Sequence, residues 1–332
     1  MNARCRHLLF MAILICLTLA GLFLSLKTGP VKTPAGEIFS LIFRGRSDFS
    51  DIILNLRLTR ALLAYLTGAS LALSGAILQG YFRNPLADPF VLGASSGASL
   101  GAVLSLELGL SASLPGLSAQ GLMAFASSLL LVSLVYMISR RRRFETQESL
   151  LLTGIAAGAL ASALTSFLLF RRADAYEQAV FWLLGSFSLA DWSQVKLLLL
   201  ALLPAAALAL FLAREMNLLS LGDETARSLG CPVNSVRKIF LFLATMLAAF
   251  SVSVAGIIGF VGLIVPHAVR LISGADHRRL FLSSALAGGF FLLISDLIAR
   301  TALSPSELPV GVVTAAFGAP FFIYLLNRSR RS

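Results

Sequence analysis

Apolar residues run through this chain in long unbroken blocks, and charged residues collect in the gaps between them. Charge-free stretches cover 7–26, 61–82, 89–106, 108–139, 149–170, 197–213, 239–269, 280–295 and 308–327. A hydrocarbon core about 30 Å thick takes roughly 20 apolar residues of helix, so most of these blocks predict one crossing each. Two are too long. In 108–139, Pro115 and Gly116 predict a loop before a helix at 119–138. In 239–269, Gly256, Gly259, Gly262 and Pro266 divide the block into a full helix, 236–258, and a shorter broken piece, 261–273. Ten transmembrane helices are therefore expected, at roughly 7–26, 61–82, 91–106, 119–138, 149–170, 197–213, 236–258, 261–273, 280–300 and 308–327. A membrane barrel is excluded, because its strands alternate apolar and polar residues, whereas Leu197–Leu203 is apolar at every position. The fold class is an all-α polytopic membrane protein, a single transmembrane domain over 1–332.

Composition agrees with this reading. Of 332 residues, 57% are hydrophobic and 13% charged, more apolar surface than one water-soluble core can hide. Arg4, Arg6 and His7 precede a run too long for a secretory signal core, which predicts a retained first helix. Cys5, Cys16 and Cys231 have neither metal-ligand spacing nor an even count. Basic residues set the orientation. With the N-terminus inside, the Arg140–Arg143 block and most other arginines face the cytoplasm, as does the C-terminus. The net charge of +11 then reflects loop bias and anionic lipid. Nucleic acid is excluded as a partner, since the basic residues are spread over separate loops.

A weak repeat adds organisation. Ser74-Gly75 precedes Pro85 and Ala255-Gly256 precedes Pro266, each glycine ten residues before its proline. The two helices are five crossings apart, so the repeat would be inverted, helices 2–5 against 7–10, an arrangement common in transporters.

Several chemistries are missing. No lysine follows a glycine, so there is no phosphate-binding Gly-Lys. His7, His267 and His277 are far apart, and no metal site is expected. A charge at mid-bilayer costs about 2.5–3.5 kcal/mol on insertion scales, yet only Asp88, Glu107 and Asp296 approach the membrane, each near a turn or helix end. A carrier driven by its own ion gradient needs more, and a membrane-embedded enzyme needs a catalytic constellation that is absent. A conduit powered by another protein remains. Within the polar segment 216–230, Gly222–Gly230 reads as a short helix with Asp223 and Glu224 at its N-terminus, Arg227 in its later turn and Gly230 as its stop. It is either a solvated connector or a docking helix for a cytoplasmic motor.

Longer motifs carry a family resemblance. They are Asn55-Leu56-Arg57-Leu58-Thr59-Arg60, Gly68, Gly75, Gln79, Asn84-Pro85-Leu86-Ala87-Asp88-Pro89, Gly222–Gly230, Gly259-Phe260-Val261-Gly262-Leu263-Ile264-Val265-Pro266-His267, Asp276-His277-Arg278, Asp296–Arg300 and Glu307-Leu308-Pro309-Val310-Gly311. From about residue 55 onward the chain resembles the permeases of ATP-binding-cassette importers for iron-siderophores, haem and vitamin B12, with the vitamin B12 branch nearest in wording. The resemblance implies a homodimer in the bacterial inner membrane with its pathway on the two-fold axis. It also implies two cytoplasmic ATP-binding-cassette subunits and a periplasmic or lipid-anchored substrate-binding protein. No cofactor would sit on this chain; ATP and Mg would sit on the partner subunits.

Gly222, Asp223, Glu224, Ala226, Arg227, Leu229 and Gly230 match the family's coupling helix. Arg57, Arg60 and Arg300 match basic positions that receive acidic residues of the binding protein, although Arg300 and Asp296, spaced i, i+4, could pair with each other. Thr146 and Gln147 fall near the family's cytoplasmic gate. The expected cargo is an iron(III)-siderophore-type chelate, with a corrinoid or haem as the alternative and a self-contained secondary carrier as the rival class. Trp182 and Trp192 read as interface anchors.

Overall fold

The computed structural model describes residues 3–29, 31, 33–45, 47–140, 147–171 and 176–329. Among the described residues its named elements are all helices. In chain order the α-helices are α1 (Ala3–Lys27), α2 (Ala35–Arg44), α3 (Thr59–Tyr81), α4 (Ala94–Glu107), α5 (Ala119–Arg140), α6 (Gln147–Arg171), α7 (Tyr176–Leu183), α8 (Trp192–Phe211), α9 (Ala213–Ser220), α10 (Asp223–Ser228), α11 (Val233–Ala255), α12 (Val261–Ser273), α13 (His277–Thr301) and α14 (Val310–Ser329). A π-helical turn, Ile52–Leu58, leads into α3, and a 3-10 turn, Pro89–Leu92, leads into α4. Among the described residues, seven helices are long and apolar enough to cross a membrane, carried by α1, α3 with its π-helical turn, α5, α6, α8, α11 and α13.

α3 is the central post. Nearly every residue from Ala61 to Tyr81 is buried, against α13, α11, α12 and α8. Lipid tails are as apolar as leucine, so close packing rather than water exclusion must hold such helices together. Glycines permit it. A methyl group on Gly68 would lie 2.2 Å from the Gly288 carbonyl oxygen, and one on Gly75 would lie 1.9 Å from that of Gly262. At these crossings α3 meets α13 and α12 backbone to backbone. Ser74 donates to the Ala244 carbonyl at 2.7 Å and Gln79 to that of Leu263 at 2.9 Å, pinning α3 to α11 and α12. The outer helices differ. Phe170 and Leu200 are among many large apolar side chains left exposed on α6 and α8, as expected of surfaces that face lipid.

Three local expectations change. The helix expected to reach residue 258 stops at Ala255. Gly256 takes φ +73°, and a Cβ there would strike the Trp182 carbonyl oxygen at 2.2 Å. The Gly-to-Pro spacing behind the repeat does not place equivalent residues: Gly75 lies mid-helix and Pro85 in a turn, while Gly256 ends α11 and Pro266 sits inside α12. Two short helices, α2 and α7, occupy segments that lie between the ten expected crossings. In α2, Ile38 packs inward with Leu26 and Ile53, while Phe39 and Phe43 stay exposed.

Candidate functional site

The polar segment between α8 and α11 folds into the two short helices α9 and α10. Gly222, at φ +111°, turns the chain between them. At the far end of α10, Gly230 N–H donates to the Arg227 carbonyl and Cys231 N–H to that of Ala226, both at 2.9 Å. This pair of bonds is a Schellman closure. It needs a left-handed residue, and Gly230 supplies it at φ +81°.

α10 has two distinct faces. Ala226 is fully buried. Glu224, Arg227 and Leu229 are exposed. Asp223 is turned toward the bundle: its Oδ1 accepts from Arg237 Nη2 at 2.8 Å and from Arg83 Nη2. Arg83 follows α3, Arg237 sits in the second turn of α11, and Arg83 Nε also donates to the Leu219 carbonyl in α9 at 2.8 Å. One carboxylate thus joins α10 to α3 and α11. The sequence grouped Asp223 and Ala226 with the outward residues. The structure separates them, because an α-helix of six residues presents only part of its surface to solvent. α9 is held separately, through Asn217, which donates to Asp276 at 2.7 Å and accepts from His277 N–H at 3.0 Å. Asp276 caps α13 through Arg278 N–H. Burial pushes its carboxyl up, but the Asn217 and Arg278 hydrogen bonds and the charges of Arg278 and Arg279 outweigh burial and hold it below the usual range.

At the opposite end of α3 lie the three arginines expected to be docking residues. The outward exposure expected of them does not hold for Arg57 and Arg300, which are 5% and 9% exposed. Arg57 donates to the Leu26 carbonyl at 2.7 Å, to that of Lys27 at 3.1 Å, and to Val31 O and Thr33 Oγ1. The carbonyls that close α1 have no intrahelical partners, and a long guanidinium reaching back from the π-helical turn satisfies them. Arg300 Nη2 donates to Ser25 O and Ser25 Oγ, both at 2.7 Å. Arg60 forks between Asp296 at 2.9 Å and Glu307 at 2.9 Å. Asp296 is fully buried, and its expected i, i+4 partner Arg300 is farther, at 3.9 Å. Sequence spacing found the local pair and missed the tighter one, whose members are 236 positions apart. Of these groups only Glu307, 38% exposed, reaches the surface substantially.

Beside this cluster lies a vestibule of about 1110 Å³ between the loop before α5, α7, the start of α8 and the turns after α11 and α13. Hydroxyl and amide side chains such as Ser118, Gln120, Gln178 and Ser186 line it, with Asp191 and Glu307 its charged groups among the described residues. Gln147 is the first residue of α6, and Thr146 lies outside the described residues.

An all-helical membrane domain with a closely packed central post, a two-helix polar element at one end of that post and a wide vestibule at the other is the transmembrane part of a transporter. The chain belongs to the FecCD transport family, whose profile matches residues 17–328. It is similar to the cobalamin import system permease protein of Halobacterium salinarum, 44% identical over 83% of this chain and 73% of that protein. It is also similar to the vitamin B12 import system permease protein of Citrobacter koseri, 40% identical over 98% of this chain and 96% of that one. A solved transporter described as of metal-chelate type, in an inward-facing conformation, superposes with a TM-score of 0.83 at 32% identity, covering 96% of this chain and 99% of that chain. The protein is an integral membrane permease subunit of an ATP-binding-cassette importer.

Proposed function

We propose that this permease carries a corrinoid of the vitamin B12 type into the cytoplasm, as a homodimer driven by two ATPase subunits and fed by a substrate-binding protein. The observation that carries the cargo is 40% identity with a vitamin B12 permease over 98% of the chain. The vestibule supports it: among the described residues lining it there is no Lys or Arg, an environment suited to a neutral, amide-rich cargo and poorly suited to an anionic ferric chelate. The siderophore cargo expected from the sequence becomes the second reading. It is supported by the likeness to a transporter described as of metal-chelate type.

In this reading both termini are cytoplasmic, α4, α12 and α14 complete ten crossings with the seven long helices, and α9 and α10 face the ATPase. Glu224, Arg227 and Leu229 form the contact, and Asp223 passes the motion of α10 to α3 and α11. Thr146 and Gln147 are read as the inner gate. On the outer side Arg60 and Glu307 meet the binding protein, while Arg57 and Arg300 brace the ends of α1 and α13 beneath it. The test is reconstitution of the permease with its ATPase and binding protein in liposomes, with labelled cyanocobalamin and labelled ferric siderophores offered in parallel. ATP-dependent uptake of cyanocobalamin alone is expected; uptake of siderophore alone would overturn the cargo.

A further inference from the structure

A second, smaller cavity of about 160 Å³ opens beside α10. Tyr136 and Arg140 of α5, Asp223 and Arg227 of α10, and Arg237 and Lys238 of α11 bound it. Its charge is one-sided. Among the described residues that line it, Arg227, Arg237 and Lys238 stand with one carboxylate, Asp223, which Arg83 shares. Cations gathered around one small volume repel one another unless an anion lies among them.

Arg237 carries the donor that an anion in this cavity would meet. Its Nη2 is held by Asp223 at 2.8 Å and its guanidinium carbon stands 5.5 Å from the Tyr81 ring centroid. Its Nε is buried and meets no hydrogen-bond partner among the described residues. A buried N–H of a charged group left unpaired is costly. An oxygen-rich anion in the cavity would accept from it and from the lysine and arginine heads around it. Guanidinium forks and ammonium groups together are the usual phosphate-binding set. The cavity has room for a phosphate group and none for a chelate.

We propose that this cavity binds a phosphate group and that the bound phosphate ties the coupling helix α10 to α5 and α11. The group comes from the head of an anionic phospholipid or from a soluble phosphate. Basic pockets between membrane helices on the cytoplasmic side take such heads. The inference rests on the functional reading only in placing this face toward the cytoplasm.

The test uses the full-length chain purified into nanodiscs of phosphatidylcholine, with or without phosphatidylglycerol. Native mass spectrometry counts the retained lipid, and inorganic phosphate is titrated in detergent with the melting temperature as readout. The wild type is expected to retain phosphatidylglycerol over phosphatidylcholine, or to be stabilised by phosphate. Lys238→Gln should weaken the effect roughly tenfold, the loss of one charge-assisted hydrogen bond. Arg237→Lys keeps a charge near Asp223 and should also weaken it, while Lys196→Gln on α8 should not. Retention without a phosphate effect assigns the lipid head; a phosphate effect without retention assigns the soluble source. Equal retention and equal phosphate response in wild type and Lys238→Gln would overturn the site. Cargo uptake is not read, so the proposal fails or stands apart from the choice of cargo.

Discussion

Asp296 shows how a charged residue survives inside this bundle. It is fully buried, yet Arg60 meets it with two nitrogens and Arg300 lies within 3.9 Å. Removing one member of a buried pair leaves the other charged and unpartnered, at about 3–5 kcal/mol. Asp296→Ala should therefore destabilise the purified protein by that order, read as a lower melting temperature in detergent. Glu307→Ala, which removes the exposed arm of the same fork, should cost under about 1 kcal/mol. Asp88 gives a pH signature of opposite sense to the usual carboxylate. In the turn between α3 and α4, burial pushes its carboxyl up to about 6, against the lowering effect of the Phe90 N–H bond. A raised acid pKa means the folded state prefers the proton. That turn should gain stability as pH falls through about 6 toward the ordinary carboxylate value near 4. Asp276, held below the usual range, acts the other way: its contribution is present at higher pH and is lost only below that window. Asp88→Asn keeps an acceptor for Phe90 and should flatten the stability profile between pH 4 and 6, measured by hydrogen exchange of the Ala87–Leu92 amides.

At the scale of elements, what the sequence revealed depended on whether the cause was local. α10 was legible because its start and stop are single glycines, and Gly230 closes it for a reason contained in three residues. Gly230→Val forces a β-branched side chain into φ +81°. The substitution should cost about 1–2 kcal/mol and fray α10, seen as faster exchange of the Arg227–Cys231 amides. The crossings at Gly68 and Gly75 were legible as glycines in a membrane helix, but not as contacts. Their partners, Gly288 and Gly262, lie some two hundred positions away, and no periodicity links them. The same holds for the arginines. Hydropathy correctly set Arg57, Arg60 and Arg300 at helix ends, but a lone position cannot say whether a guanidinium turns to water or to the open carbonyls of α1. α2 was missed for a different reason: at ten residues, it is too short to stand out from a loop by apolar run length.

Across the whole molecule, the two faces of α10 predict two separable failures. Glu224, Arg227 and Leu229 are exposed on α10, so replacing all three by alanine should leave the permease folded, with a cooperative melting transition, while abolishing co-purification of the ATPase. Asp223 is the reverse case. Its carboxylate binds Arg83 beyond α3 and Arg237 within α11, and α3 is buried against α13, α11, α12 and α8. A rigid-body shift of α10 reaches the central post through that fork, because packed helices move as blocks rather than deform. Asp223→Ala should retain the ATPase and its hydrolysis but lower the cargo moved per ATP, since the motor would still push a helix no longer joined to the post. Measuring ATP hydrolysis and uptake in the same liposomes gives that ratio directly. A charge-swapped pair, Asp223→Arg with Arg83→Asp, should recover part of it while either single change does not. If Asp223→Ala lost the ATPase as completely as the triple surface variant, the fork would be part of the docking face and the division of α10 into a contact side and a transmission side would be wrong.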